Sequence, residues 1–192
     1  MKRLVLASTS PFRKELLAKL HLDFVTDNPR VDEAPLAGES PEQLVARLAE
    51  AKARAVALRH PSALIIGSDQ VAVNGESIVG KPGDHHRAIE QLRQASGKRI
   101  TFLTGLALYN SATGHCQVAV EPFSVVFRQL NDEQIENYLK REHPYNCAGS
   151  FKSEGLGIAL FQRLEGDDPN ALIGLPLIRL IEMLDREKVN VI

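Results

Sequence analysis

The sequence of 192 residues lacks the long apolar runs that membrane helices need. No stretch approaches the roughly 20 consecutive apolar residues of a bilayer span, and the first residues lack the long apolar region of a signal peptide. Cysteine is also scarce, since Cys116 and Cys147 are the only two, and they are too isolated to predict a disulfide framework. These absences predict a cytoplasmic protein with no membrane partner.

Neither sign of charge is in excess, because 23 Lys and Arg residues face 24 Asp and Glu residues. A protein that binds nucleic acid over its general surface carries a basic excess, so we expect no nucleic-acid partner. Any phosphate binding must then come from a local pocket. The chain has no internal repeat or low-complexity segment. Its length predicts one domain spanning residues 1–192, or at most two small lobes.

Strand-like and helix-like segments alternate along the chain. Apolar runs predict strands at residues 4–6, 63–73 and 157–164, among others. Ser40, Pro41 and Gln43 form a capping pattern for a long helix that ends near residue 59. Asn74-Gly75 predicts a hairpin, which excludes a purely parallel sheet. The expected fold is therefore a mixed α/β (α+β) arrangement with helices flanking the sheet.

The stretch "RLVLASTSPFRKELL" joins a buried strand to a helix. Ser10 is a good N-cap and Pro11 suits the first helical position, so a strand end leads into a helix N-terminus. Free amides and the helix dipole attract an anion there, and Ser8 and Arg13 add a hydroxyl and a guanidinium. The alternative is a solvated arginine on a well-capped helix.

The segment "GESIVGKP" at Gly75–Pro82 resembles a phosphate-binding P-loop only superficially. Pro82 stands where that motif has the hydroxyl that binds Mg²⁺, and the segment follows a hairpin instead of entering a helix. We therefore reject a P-loop nucleotidase. Lys81 remains a candidate phosphate ligand, or else a solvated lysine at a strand end.

Histidine and cysteine do not predict a metal centre or a nucleophile. Their pairs lack the spacing of a structural zinc site. Cys147 has only His143 nearby in sequence as an activating base, so a catalytic thiol is weakly supported.

Two carboxylates and one lysine are more informative. Asp69 follows a buried strand, where α/β sheets present ligand-binding groups, and Glu33 lies in a Pro-rich loop. Together they could hold Mg²⁺, which takes one or two carboxylates plus substrate phosphates. Lys52 falls on the apolar side of its helix, so it either extends to solvent or faces a ligand cleft. Each carboxylate alone is typical of an ordinary surface acid.

These residues belong to stretches that identify a family. The chain resembles the Maf family of nucleoside triphosphate pyrophosphatases over essentially its full length. The matching stretches are "LASTSPFR", "VDE", "AEAKA", "GSDQV", "GKP", "TGLAL", "AGSFKSEG" and "GDDPNALIGLP". The resemblance implies a mixed α/β fold similar to inosine triphosphate pyrophosphatases, with a cleft between two lobes. It also implies hydrolysis of the α–β phosphoanhydride with a divalent cation, Mg²⁺ or Mn²⁺.

The family's functional positions can be carried over residue by residue. They imply Asp69 as proton acceptor and metal ligand with Glu33, and four phosphate ligands: Ser8, Arg13, Lys52 and Lys81. Within the family the chain most resembles members that act on 7-methyl-GTP, through Phe12, Gln70 and Glu154. Those members often carry Trp where this chain has Phe12, which reduces the stacking overlap.

Three questions stay open from the sequence. The substrate could be a pyrimidine or another modified nucleotide. The protein could instead be a non-catalytic, nucleotide-binding regulator of cell division. The sequence also leaves a homodimer open.

Overall fold

The computed structural model describes residues 3–192. Within them the strands are β1 (Arg3–Ala7), β2 (Phe24–Asp27), β3 (Ala63–Asn74), β4 (Ser77–Val79), β5 (Arg99–Asn110), β6 (Cys116–Phe127) and β7 (Phe161–Glu165). The helices are α1 (Pro11–Ala18), α2 (Pro41–Ala57), α3 (His85–Ala95), α4 (Asp132–Glu142), α5 (Pro169–Ile173) and α6 (Leu177–Arg186). Two short 3₁₀ helices occupy Ala148–Ser150 and Leu156–Leu160.

The strands form one mixed sheet. They pair in the order β2-β1-β3-β5-β6-β7, and β4 pairs with β3. Strand β1 is parallel to both β2 and β3. Strand β4 is antiparallel to β3, and β7 is antiparallel to β6. The mixed α/β fold and the hairpin predicted at Asn74-Gly75 are therefore confirmed.

The chain forms two compact units. The first contains the chain up to Gln70 together with Leu103–Glu121 and Asp168–Ile192, and the second contains Val71–Phe102 and Pro122–Asp167. Strands β3, β5 and β6 each contribute residues to both units. A single functional domain over the whole length stays a prediction.

Alternation along the strands divides the first unit into two apolar layers. Side chains of successive strand residues point to opposite faces. On one face Leu4, Leu6 and Ile66 pack with leucines of α1 and α6. On the other, Val5 and Ile65 pack with alanines of α2. The same alternation decides which helix each functional side chain meets.

The second unit has an aromatic centre. Its rings meet edge to face with centroids 4.9 to 5.6 Å apart, a favourable arrangement for aromatic pairs. They belong to Phe102, Phe127, Phe151 and Phe161. Because Phe151 lies in the stretch "AGSFKSEG", this core holds that stretch in place.

The predicted helix starts are confirmed by their caps. Ser40 accepts from the Gln43 amide at 3.2 Å, while the Gln43 side chain accepts from the Ser40 amide at 2.9 Å. Asn131 caps α4 in the same reciprocal way. Helix α2 ends at Ala57, slightly before the predicted end near residue 59.

One prediction of local structure is wrong, and one helix is absent from the sequence prediction. The strand expected over residues 157–164 is a 3₁₀ helix up to Leu160, and β7 begins only at Phe161. Gly157 explains the difference: its amide donates to the Lys152 carbonyl at 3.0 Å, so the backbone turns here. Helix α5 was not predicted at all.

No helix in residues 3–192 combines the length and the apolar character required to cross a membrane.

We predict that Gly67→Ala strongly destabilises the protein. A Cβ at Gly67 would lie 2.0 Å from the Ala49 carbonyl oxygen and 2.9 Å from the Ala53 amide, so α2 would have to move away from β3. Overpacking usually costs about 1–3 kcal/mol, and a clash with backbone places this change at or above about 3 kcal/mol. Urea unfolding measures the loss. Gly80→Ala is the control, because a Cβ there meets nothing within 4 Å. Equal stability of the two variants would contradict the prediction.

Candidate functional site

The turn between β1 and α1 presents a hydroxyl at a helix N-terminus. Ser10 caps α1 by accepting from the Arg13 amide at 3.4 Å. The buried Ser8 accepts from the Ser10 amide at 3.1 Å. A hydroxyl that accepts within its own turn still has its proton to donate. Ser8 can therefore donate to an anion at this end of α1.

The Arg13 guanidinium is held by a hydrogen bond at Nε, and its two terminal nitrogens are available to a ligand. Nε donates to the Gly174 carbonyl at 2.8 Å, while the two terminal nitrogens have no hydrogen-bond partner within residues 3–192. Burial lowers the pKa of Arg13, and the Asp69 and Glu33 carboxylates oppose that shift. A guanidinium nevertheless stays charged in proteins. Arg13 thus offers a charged pair of donors to a phosphate.

Lys52 of α2 is the centre of the first unit's charged cluster. Its Nζ lies 2.6 Å from Asp69 Oδ1 and 2.7 Å from Glu33 Oε1. The side chains of Lys52 and Asp69 are only 7% and 10% exposed, whereas that of Glu33 is 61% exposed. The lysine is therefore not a side chain that extends to solvent, and it brings together the two carboxylates predicted from the sequence.

A second ion pair holds the loop that carries Glu33. Arg47 of α2 donates to both oxygens of Glu39, at 2.5 and 2.8 Å, and to the Ala34 carbonyl at 3.1 Å. Hydrogen bonding to Arg47 lowers the pKa of Glu39 to about 2, so the pair stays ionised at neutral pH. Glu33 precedes Ala34, so this fastening keeps Glu33 near Lys52.

Asp69 and its neighbours lie in the middle of β3, which continues to Asn74, and not after the strand as the sequence predicted. Their side chains alternate between the two faces of the sheet. Asp69 shares the face of Gly67 and meets α2 through Lys52. Ser68 and Gln70 point to the opposite face: Ser68 donates to the Gly174 carbonyl at 2.9 Å, and Gln70 donates to carbonyls of α5. The middle of this strand therefore supplies an acid on one side of the sheet and two polar side chains on the other.

Asp69 and Glu33 could hold a divalent cation. Each carboxylate has one oxygen within 2.7 Å of the same Lys52 ammonium, so both face one cationic position. Within residues 3–192 no group of three His, Cys, Asp or Glu side chains forms a complete metal site. Mg²⁺ does not need one, since it takes one or two carboxylates and completes its shell with water and phosphate oxygens. The donor set therefore fits Mg²⁺ better than a metal that needs an all-protein cage.

Phe12 lies in the first turn of α1, next to the serines. Its side chain is 37% exposed, which is unusual for a phenylalanine. An exposed aromatic face can stack on a base. The position therefore agrees with the base-stacking role that the resemblance implies.

Lys81 and Glu154, both in the second unit, lie near the Cys147 thiol. Their charges shift the pKa of this thiol in opposite directions. The Gly80 carbonyl, next to Lys81, accepts from the Gln91 side chain at 3.2 Å and from the Gly149 amide at 3.4 Å. The stretches "GKP" and "AGSFKSEG" are therefore linked directly.

Neither cysteine is suited to nucleophilic catalysis. Burial raises the pKa of the Cys116 thiol to about 11, and burial together with Glu154 also raises that of Cys147. Both thiols are protonated at neutral pH, whereas the thiolate is the nucleophile.

Several supporting residues were missed by the sequence reasoning. They are Arg47, Ser68, Thr104 and Gly174. Gly174 has a φ of +125° and lies directly after α5, so the "PNALIG" pattern of proline first and glycine last was the available signal. Thr104 gave no local signal, because its importance depends on a contact with α5.

A surface cavity of about 290 Å³ lies beside α4 in the second unit. Its lining includes Arg128, Tyr138 and Arg141. None of the predicted site residues lines this cavity.

Comparison with known proteins gives consistent results. The profile of the family described as "Maf-like protein" matches residues 3–187. The chain is 63% identical over 183 residues to a protein of Nitrosococcus oceani named 7-methyl-GTP pyrophosphatase, covering 95% of this chain and 92% of that one. It is 57% identical over 190 residues to a protein of the same name from Aliivibrio fischeri, covering 99% and 98%. The Staphylococcus aureus Ham1 protein has a similar fold, with a TM-score of 0.52 at 16% identity, over 97% of this chain and all of that one.

We predict that the destabilisation caused by Lys52→Met is largely relieved by Asp69→Asn. Removing the lysine leaves Asp69 buried without its ion-pair partner, and breaking a buried pair costs about 3–5 kcal/mol. Since Arg13 also acts on Asp69, we expect about 2–4 kcal/mol. The amide in the double variant carries no charge to compensate.

Urea unfolding of wild type, both single variants and the double variant measures the coupling. The double variant should be more stable than Lys52→Met alone. If the two single losses simply add, the pair is not coupled and the assignment of Lys52 as the centre of this cluster is wrong.

Proposed function

Since the chain belongs to the Maf family, we propose that it is a nucleoside triphosphate pyrophosphatase that hydrolyses 7-methyl-GTP to 7-methyl-GMP and pyrophosphate. The observation that carries the proposal is the cluster in which the Lys52 ammonium binds Asp69 and Glu33. The Arg13 guanidinium also interacts electrostatically with both carboxylates. The relatives named 7-methyl-GTP pyrophosphatase support the choice of substrate.

Asp69 is the proposed general base. Oδ1 accepts from Lys52, while Oδ2 has no hydrogen-bond partner in the described chain and keeps its lone pairs for a water proton. The water oxygen forms a bond to the α-phosphorus, one water proton passes to Asp69, and the bond between the α-phosphorus and the α–β bridging oxygen breaks. The electron pair of that bond leaves with pyrophosphate. Lys52 holds the carboxylate in place through the hydrogen bond from Nζ to Oδ1, at 2.6 Å.

Donors around the turn at α1 bind the phosphates. Ser8 contributes a hydroxyl and Arg13 its two terminal nitrogens, at the N-terminal end of α1, where the helix dipole favours an anion. These donors are held before substrate arrives, so they cost little reorganisation where charge develops. By family resemblance we add Lys81 to the phosphate ligands.

A divalent cation, Mg²⁺ or Mn²⁺, is part of the proposal. Asp69 and Glu33 would hold it together with phosphate oxygens, and it would neutralise charge on the phosphates. The charge balance supports this requirement: Lys52 and Arg13 already offset the two carboxylates, so the negative charge of a triphosphate needs a further cation.

In this proposal the methylated nucleobase is recognised by one aromatic side chain and by polar side chains. Methylation at N7 gives guanine a positive charge, which an aromatic face and a carboxylate favour. By family resemblance, we assign the aromatic face to Phe12 and the carboxylate to Glu154. A cation–π contact is worth only about 0.5–2 kcal/mol, so the charge of Glu154 has to provide the remaining preference.

Pyrophosphate release from a panel of nucleotides with Mg²⁺ tests the function. We expect 7-methyl-GTP to give the highest kcat/KM, above GTP, UTP and dTTP. A preference for UTP or dTTP would overturn the substrate, and no release above background with any nucleotide would favour a non-catalytic regulator.

Asp69→Asn should lower turnover of 7-methyl-GTP by about 10²–10⁴-fold, the usual contribution of a general base. The amide keeps the shape but cannot take a proton. A steady-state assay gives kcat, and urea unfolding establishes that the variant is folded. A variant that keeps more than about a tenth of the wild-type rate excludes Asp69 as the base.

Glu154→Gln should reduce the preference for 7-methyl-GTP over GTP, because it removes the charge and keeps the size. The measurement is kcat/KM for both nucleotides in wild type and variant. Glu76→Gln, at an exposed hairpin turn, is the control for loss of one negative charge. If the ratio is unchanged in Glu154→Gln, the carboxylate does not select the methylated base.

A further inference from the structure

Gln70 is held in a single amide orientation. Its Nε2 lies 2.9 Å from Thr104 Oγ1, 2.8 Å from the Ala171 carbonyl and 3.1 Å from the Leu172 carbonyl. Carbonyl oxygens can only accept, so a flipped amide would place oxygen against oxygen. The nitrogen therefore faces α5.

Thr104 fixes that orientation further. Its buried hydroxyl donates its one proton to the Ala171 carbonyl at 2.9 Å. Oγ1 is then left as an acceptor, and only the amide nitrogen of Gln70 can donate to it. The three residues form a closed chain of donors and acceptors.

The Ala171 and Leu172 carbonyls can accept these hydrogen bonds because they lie near the C-terminal end of a short helix, α5. The last carbonyls of a helix have no partner within the helix. After α5 the chain turns at Gly174, whose amide donates to the Asn170 carbonyl at 3.1 Å. At the other end, the buried Asp168 accepts from the Asn170 amide and from the Ile178 amide, both at 2.8 Å. Bonds at both ends therefore hold the acceptors of Gln70 in place.

The oxygen of the Gln70 amide is left over. No group in residues 3–192 donates to Oε1, and the residue is partly exposed. An amide whose nitrogen is fully used and whose oxygen is free acts on a ligand as an acceptor only. It follows the proposed base Asp69 directly in the chain.

We propose that Thr104 is a positioning residue. Together with the α5 carbonyls it orients Gln70 so that Oε1 is a fixed hydrogen-bond acceptor for a nucleobase that carries donors on its edge. The proposal rests on the proposed function. Guanine carries two neighbouring donors on that edge, a ring N1–H and an amino group, whereas adenine carries one amino group beside an unprotonated N1, which repels an oxygen. The orientation therefore selects guanine over adenine, independently of N7 methylation.

Thr104→Val and Thr104→Ser form the matched test pair. Valine keeps the shape and removes the hydroxyl, while serine keeps the hydroxyl and removes the methyl group. Without the hydroxyl, Gln70 loses one of its constraints. We expect Thr104→Val to lower the ratio of kcat/KM for GTP over ATP by about three- to tenfold, the value of one hydrogen bond. The loss should appear in KM, and Thr104→Ser should retain the wild-type ratio.

The same change in a Gln70→Met background separates positioning from a merely structural role. There Thr104→Val should leave the ratio unchanged, because the acceptor is already gone. A wild-type ratio in Thr104→Val, or an equal drop in both backgrounds, overturns the proposal. If the valine variant does not fold, Thr104→Ala replaces it, since alanine places no methyl group against the Ala171 carbonyl.

Failure of the two proposals can be told apart. Absence of pyrophosphate release from every nucleotide in wild type contradicts the proposed function. Normal pyrophosphate release, with a GTP-to-ATP ratio of kcat/KM that does not change on Thr104→Val, contradicts only the positioning of Gln70.

Discussion

A single buried ammonium organises the first unit's charged cluster. Lys52 Nζ contacts carboxylates from two distant parts of the sequence, the middle of β3 and the loop before α2. A buried charge is costly unless it is paired, so the lysine and Asp69 require each other. Because Glu33 is exposed, its position depends on Lys52 and on the loop, and a ligand can reach it. The cluster thus combines one fixed acid with one accessible acid.

The ammonium reaches Asp69 only because α2 lies very close to the sheet. Gly67 faces the Ala49 carbonyl, and Gly105 on the neighbouring strand faces the Val45 carbonyl, each so closely that a Cβ would lie 2.0 Å away. Glycine is used here for close approach and not for an unusual φ. The two glycines allow the short distance between α2 and the strands β3 and β5. That distance determines the position of the Lys52 ammonium. A stability constraint on the core therefore also determines the geometry of the cluster.

Sequence reasoning succeeded where the cause is local and failed where it is tertiary. The caps at Ser10 and Ser40 depend on residues within one turn, and both were predicted correctly. The apolar position of Lys52 on its helix indicated an unusual lysine. Its partners could not be read from that pattern, because they come from another strand and another loop. The 3₁₀ helix before β7 was mistaken for a strand, since a short apolar run has no period of its own.

Helix α5 shows how a weak element can have a large effect on the site. Five residues are too few to form a stable helix alone, so its bonds at Asp168 and Gly174 are needed to hold it. Its value lies in the carbonyls that it leaves unpaired. Ser68 and Gln70, on either side of Asp69, both donate to residues 171–174, and Arg13 donates to Gly174 as well. Since both neighbours of Asp69 are held from one face, alternation along β3 directs the carboxylate to the other face, where Lys52 lies. The orientation of the acid is therefore determined from both sides of the sheet, and α5 contributes to it without touching it.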